Sequence, residues 1–103
     1  MRSRRSWKQH ESLVAASLQG TRNPLTGIPN CDVDAGPFAV EVKTRERFPK
    51  WLTHAVQQAK DAAGTTRTGI VVLVESRQGV KARRYVLLTL EDWQQWHGTG
   101  EAK

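Results

Sequence analysis

The chain has 103 residues, a single cysteine and a formal net charge of +6, from 16 Lys and Arg against 10 Asp and Glu. Its length excludes a second sizeable core, and 38% apolar with 25% charged residues excludes a disordered tail. Cys31 alone excludes an intramolecular disulfide, and a cysteine-based zinc site unless a dimer supplies the other ligands.

Ser6-Trp7-Lys8-Gln9 carries the pattern of a capping box, with Ser at the N-cap and Gln three positions on. It predicts a helix from residue 7 to about residue 19, stopped by Gly20. Residues 21–30 hold two Pro, a Gly and two Asn, and read as loop or short edge strand. Residues 31–35 and 38–44 read as a hairpin around a Gly36-Pro37 turn. Pro49 suits the first turn of a second helix, which reaches about residue 63 and ends at Gly64. Residues 70–75 are apolar until their end, which predicts a strand buried on both faces. A turn around Gly79 and a strand over residues 83–90 follow. Thr89-Leu90-Glu91-Asp92 is a second capping pattern, opening a short helix through about residue 96. The order is α-β-β-α-β-β-α, an α/β (α+β) chain with one mixed sheet flanked by helices in a single domain. Residues 1–6 and 98–103 are expected to be a flexible arm and tail.

The longest apolar run, residues 70–74, is too short to cross a bilayer. No apolar stretch of signal-peptide length follows the basic start of the chain. A reducing cytoplasm, and no membrane partner, is the expectation. The surplus of +6 points to a polyanion, most simply nucleic acid.

The acidic hairpin carries the most chemistry. A two-residue turn at Gly36-Pro37 sets Ala35 against Phe38, Asp34 against Ala39, Val33 against Val40 and Asp32 against Glu41. Side chains alternate along a strand, so Asp32, Asp34, Glu41 and Lys43 share one face and Val33, Val40 and Val42 the other. Opposed carboxylates repel. Lys43 relieves that repulsion in one reading, and a divalent metal in another. Magnesium takes one or two protein carboxylates and keeps positions for water and phosphate, and it supports attack of water on a phosphodiester. Lys43 reaches the same space, where it orients or deprotonates the water or stabilises the transition state. Alternating charges on a hairpin also form plain solvated faces, and a one-residue slip separates Asp32 from Glu41.

Asp32 followed by Glu41-Val42-Lys43 on the next strand resembles the D…(D/E)xK signature of the PD-(D/E)XK nuclease superfamily. Residues 8–60 resemble its Holliday-junction-resolvase branch in several places. Gln9-His10-Glu11 lies where that branch has a helical glutamate. Asn23-Pro24-Leu25-Thr26-Gly27 is similar to its Ser-Gly loop, with Thr26 in the hydroxyl position. Asp32-Val33-Asp34-Ala35 is similar to its metal-binding strand, and Gln58-Ala59 falls where relatives carry a Gln. Cys31 stands where the signature has Pro, Thr26 replaces Ser, and the Asp-to-Glu spacing is short. Asp34 competes with Asp32 for the metal, and Asp32 is preferred because it lies opposite Glu41. The resemblance implies a restriction-endonuclease-like fold and a DNA endonuclease, either a homodimeric junction resolvase or a relative cutting flaps or duplex. It implies Mg²⁺, with Mn²⁺ as a substitute, bound by Asp32, Glu41 and the Val42 carbonyl. Lys43 is then the catalytic base or positioner, Glu11 and Thr26 assist metal or phosphate binding, and the host is bacterial, archaeal or phage-infected. A non-catalytic DNA-binding module remains the rival from another class.

Trp7, Glu11, Val14 and Leu18 share one helix face, so Glu11 sits on an apolar stripe and needs a partner. That partner is either the metal site or an Arg at the rim. Gln58 shares a face with Trp51, Ala55 and Ala62, and serves a phosphate or is a buried structural residue. His10, His54 and His97 receive no ligand role, and Cys31 reads as a small buried residue. The bases fall in three clusters: Arg2, Arg4, Arg5 and Lys8; Lys43, Arg45, Arg47 and Lys50; Arg77, Lys81, Arg83 and Arg84. They read as grips on a phosphate backbone without base readout. Trp93 and Trp96, three apart, either cap the sheet or form a dimer contact.

Overall fold

The computed structural model describes residues 6–23 and 31–97. The chain separates into two compact units, Met1–Glu46 with His97–Lys103, and Arg47–Trp96.

The first unit opens with α1, Trp7–Ser17. The expected capping box is present. Ser6 Oγ accepts the Gln9 amide at 3.3 Å, and Gln9 Oε1 accepts the Ser6 amide at 2.7 Å. The end of the helix differs from the expectation. Gln19, not Gly20, takes the left-handed conformation, with φ 54°. The Gly20 amide bonds to the Ala15 carbonyl and that of Gln19 to Ala16, a Schellman closure. Gly20 is needed for space instead: a side-chain carbon there would run into the Asp34 carbonyl.

Three short strands follow: β1 Thr21–Arg22, β2 Val33–Ala35 and β3 Phe38–Val40. They form one antiparallel sheet in that order. β1 is the short edge strand allowed for in residues 21–30. The β2–β3 register is the expected one, with Val33 against Val40, Asp34 against Ala39 and Ala35 against Phe38. Gly36, at φ 60°, supplies the positive φ at this tight turn. The pairing is shorter than expected. The Asp32 amide bonds to the Val40 carbonyl, one residue out of register, and residues 41–49 pair with no strand. Ala15 and Leu18 of the helix end bury against Val33 and Ala35 of the sheet, and Val33 is 0% exposed.

The second unit holds α2, Lys50–Ala63, with Pro49 at its N-cap and Gly64 closing it at φ 63°. Its half-buried residues are Leu52, Ala55, Val56, Ala59, Lys60 and Ala63, a helical stripe. Trp51 and Gln58 are exposed, so the face expected for Gln58 is not the inward one. α2 packs on β4, Val71–Arg77. Gly69, just before that strand, sits against the Ala59 backbone with no room for a side chain.

β4 pairs antiparallel with β5, Val80–Leu87, through a turn at Gln78 and Gly79, with an irregularity between Glu75 and Arg77. The expectation that the apolar strand is buried on both faces fails. Val71, Leu73 and Leu87 are half-buried, while Val72, Val74 and Val86 on the other face are exposed. α3, Leu90–His97, closes the described chain. Thr89 Oγ1 accepts the Asp92 amide at 3.2 Å, and Lys60 Nζ lies 3.7 Å from Asp92 Oδ2, linking α2 to α3.

The described residues therefore form a mixed α and β chain with two separate antiparallel sheets. The expected single mixed sheet is not found among them. β3 stops at Val40, and the charged segment up to Pro49 adds no strand to it. Among the described residues, no helix is long and apolar enough to cross a membrane.

Candidate active site

The acidic residues gather where β2 begins and β3 ends. Alternation along β2 turns Val33 and Ala35 toward α1 and Asp34 away from it, and Asp32 sits just before the strand. Asp32 is half-buried. Its Oδ2 accepts the Val42 amide at 2.7 Å, so its carboxylate clasps the segment that carries Glu41 and Lys43. Asp32 Oδ1 has no hydrogen-bond partner among the described residues. Glu41 and Lys43 are both exposed and reach each other, with Lys43 Nζ 3.5 Å from Glu41 Oε2. Exposed pairs of this kind contribute little to stability.

Asp34 is held differently. Asn23 Nδ2 donates to its Oδ2 at 2.9 Å, and the Cys31 thiol lies 3.2 Å from its Oδ1. The Asn23 bond first, and the Cys31 bond second, hold the Asp34 carboxyl below its ordinary pKa, against a smaller opposing effect of burial. The same contact raises the Cys31 thiol, with burial adding to it. Both oxygens of Asp34 are thus engaged. Cys31 is half-buried, consistent with a small packed residue tied to its neighbours.

Glu11 is the one buried charged residue among those described, at 6% exposure. Its Oε1 meets Arg22 Nε at 2.9 Å. Arg22 lies across β1–β2 from Val33, on the helix side of the sheet. The structure therefore gives Glu11 the arginine partner, on the opposite face of β2 from Asp34. Arg22 was not legible as that partner, because β1 is only two residues long and its pairing is non-local.

The metal expectation can be tested on the donors. Two carboxylates and a backbone carbonyl are hard oxygen ligands, suited to a magnesium-like ion that keeps most of its positions for water and phosphate. One open carboxylate oxygen on Asp32 agrees with that donor set. Among the described residues, no group of three or more His, Cys, Asp or Glu is placed to hold a metal ion.

The basic residues divide between the units. Lys8, Lys43 and Arg45 are exposed in the first. Arg47, Lys50, Arg77, Lys81, Arg83 and Arg84 are exposed in the second, as is the neutral Gln58. The cluster from Lys43 to Lys50 is thus split by the unit boundary after Glu46. Arg2, Arg4, Arg5 and Thr26 lie outside the described residues, as do the rest of the expected hydroxyl loop and the tail from residue 98. In the second unit, Trp93 and Trp96 line an apolar groove of about 390 Å³ with Thr68, Ile70, Val86 and Leu88.

No family model, no curated protein and no solved structure matches the chain.

Proposed function

We propose that the chain is a magnesium-dependent endodeoxyribonuclease of PD-(D/E)XK type, with branched DNA as its preferred substrate. The observation that carries this reading is the bond from the Val42 amide to Asp32 Oδ2. It links the residues that match the signature's Asp to the three that match its ExK. The order of an opening helix, a tight acidic hairpin and a following helix supports the restriction-endonuclease-like arrangement as part of the proposal.

Asp32 and Glu41, with the Val42 carbonyl, hold the cation. A bound cation supplies charge stabilisation at the scissile phosphate and acidifies the attacking water. Lys43 orients that water or donates to the phosphate as negative charge develops. Glu11 acts at a distance, by holding Arg22 and the edge of the sheet. Thr26 and the bases Arg4, Arg5, Lys8, Arg45, Arg47, Lys50, Lys81, Arg83 and Arg84, with Gln58, contact the backbone. A homodimer supplies the two cuts that a symmetric junction needs.

The second reading is a non-catalytic DNA-binding module. It is favoured by one observation: Asp32 and Glu41 already have partners, in Val42 and Lys43. The deciding experiment incubates matched four-way junction, flap, single-strand and duplex DNAs with the protein. Each is run with Mg²⁺, with Mn²⁺ and with a chelator. Metal-dependent cutting, strongest on the branched DNAs, supports the nuclease. Salt-sensitive binding without cutting supports the module.

A further inference from the structure

Trp7 begins α1 with 49% of its surface exposed. The sequence places it on the apolar stripe of that helix, yet the sheet does not cover it. Two cations lie over its ring. Lys8 Nζ lies 5.4 Å from the ring centroid and the Arg22 guanidinium carbon 5.8 Å. Both distances suit attraction between a cation and the ring's π face. The two cations differ in freedom. Lys8 is exposed on a flexible stem. Arg22 is anchored, because its Nε is held at 2.9 Å by the buried Glu11 carboxylate. One of the two cations over the ring is therefore a guanidinium with little choice of position, and the other is free to swing aside. The first turn of α1 carries no acidic residue, so no carboxylate there repels an approaching phosphate.

A half-exposed aromatic ring with cations at hand is the chemistry that holds single-stranded nucleic acid. A base displaces the flexible Lys8 ammonium from the ring and stacks there, and the cations take the neighbouring phosphates. A base inside continuous duplex already stacks on its neighbours and offers no free face. Phosphates alone do not separate the two forms as sharply.

We infer that Trp7, with Lys8 and Arg22, forms a stacking platform for an unpaired nucleotide of DNA. The platform selects DNA that carries a flap, gap or branch over continuous duplex. The inference rests on the DNA-binding part of the function proposed above. It adds a device that reads DNA structure and is separate from the carboxylates that hold the metal.

The test uses the full chain and two labelled DNAs, a continuous duplex and the same duplex with a short single-stranded flap. Trp7→Leu keeps apolar bulk and removes the π face, whereas Trp7→Phe keeps it. Trp7→Leu should lose about tenfold or more in affinity for the flap DNA, with duplex affinity changed by less than about twofold. Trp7→Phe should retain most of the flap affinity. A fluorescent adenine analogue in the flap should be quenched by wild type and not by Trp7→Leu. Equal loss on both DNAs, no loss in Trp7→Leu, or no quenching by wild type overturns the inference. If wild type binds neither DNA, the inference and the functional reading fall together. If it binds the flap as described but cuts nothing with Mg²⁺, the nuclease reading falls and the platform stands.

Discussion

The Val42 amide donates to Asp32 Oδ2 at 2.7 Å, and the Asp32 amide donates to the Val40 carbonyl at 3.0 Å. Asp32 thus takes over where the β2–β3 ladder ends, with its side chain replacing the next backbone acceptor. One carboxylate has a structural task and a candidate chemical one.

Those tasks separate by substitution. Asp32→Asn keeps an acceptor for Val42 and loses the charge. Asp32→Ala loses both. We expect Asp32→Ala to destabilise by about 1–2 kcal/mol, because the half-buried Val42 amide loses its partner. Asp32→Asn should stay within about 0.5 kcal/mol of wild type. Urea unfolding of the three proteins measures this, and equal loss in both variants would refute the structural role.

Glu11 and Arg22 should behave as a pair. Glu11→Ala leaves the Arg22 guanidinium without its acid, but Arg22 is partly exposed and can turn to water. We therefore expect about 1–3 kcal/mol, below the cost of breaking a fully buried pair. Arg22→Ala should cost a similar amount, by leaving the Glu11 carboxylate buried and alone. The double variant should cost less than the sum of the two. Strict additivity would mean that the contact at 2.9 Å contributes nothing.

The Cys31–Asp34 contact predicts two pH effects. Asp34 is held below its ordinary pKa, by Asn23 first and Cys31 second. Its contribution is present above the unfolded value and is lost as pH falls through the folded one. Cys31 is held above its ordinary value, chiefly by Asp34. Its contribution is present below the unfolded thiol value and is lost as pH rises through the folded one. Asp34→Ala should remove part of the acid limb of the stability profile. It should also speed reaction of Cys31 with a thiol reagent at mildly alkaline pH, since more thiolate is then present. A slower or unchanged rate contradicts the contact.

Arg83 and Arg84 are neighbours in sequence but not equivalent on the sheet. Arg83 pairs across β4–β5 with Glu75, and Arg84 with Val74. Successive residues point to opposite faces. Arg83 thus has an acid beside it, while the residue across from Arg84 is apolar. Arg84→Ala should weaken DNA binding more than Arg83→Ala. It should also lower the salt slope by about one contact's worth, roughly 0.9. Titrations at several salt concentrations measure this, and a larger effect at Arg83 would contradict the register argument.

Local rules made part of this structure legible. Ser6 and Gln9 place the start of α1, and Gly36-Pro37 pins the register of Val33 on Val40. Both depend on residues within a few positions of each other. The misreadings involve distant partners. Gly20 reads as the residue that stops the helix by its conformation. In the structure Gln19 does that, and Gly20 makes room for the Asp34 backbone. Residues 70–75 read as doubly buried, but α2 covers β4 and the other face is exposed at Val72 and Val74. Glu11 needs a partner by its place on an apolar stripe. Which partner depends on β1, whose two residues leave almost no pattern to read. In the acidic site, spacing sets Asp32 opposite Glu41, but the Asp32 amide bonds to the Val40 carbonyl and its carboxylate takes the Val42 amide instead, and the engagement of Asp34 by Asn23 left no pattern to read.

The central claim is that Asp32, Glu41 and Lys43 form one metal-dependent catalytic unit. Its most direct measurement is the rate of four-way junction cleavage with Mg²⁺ by wild type, Asp32→Asn, Glu41→Ala and Lys43→Ala. Wild type should cut, and a chelator should abolish the cutting. Each variant should be folded, should bind the junction, and should cut about a hundredfold or more slowly. No cutting by wild type, or three variants that cut at the wild-type rate, would contradict it.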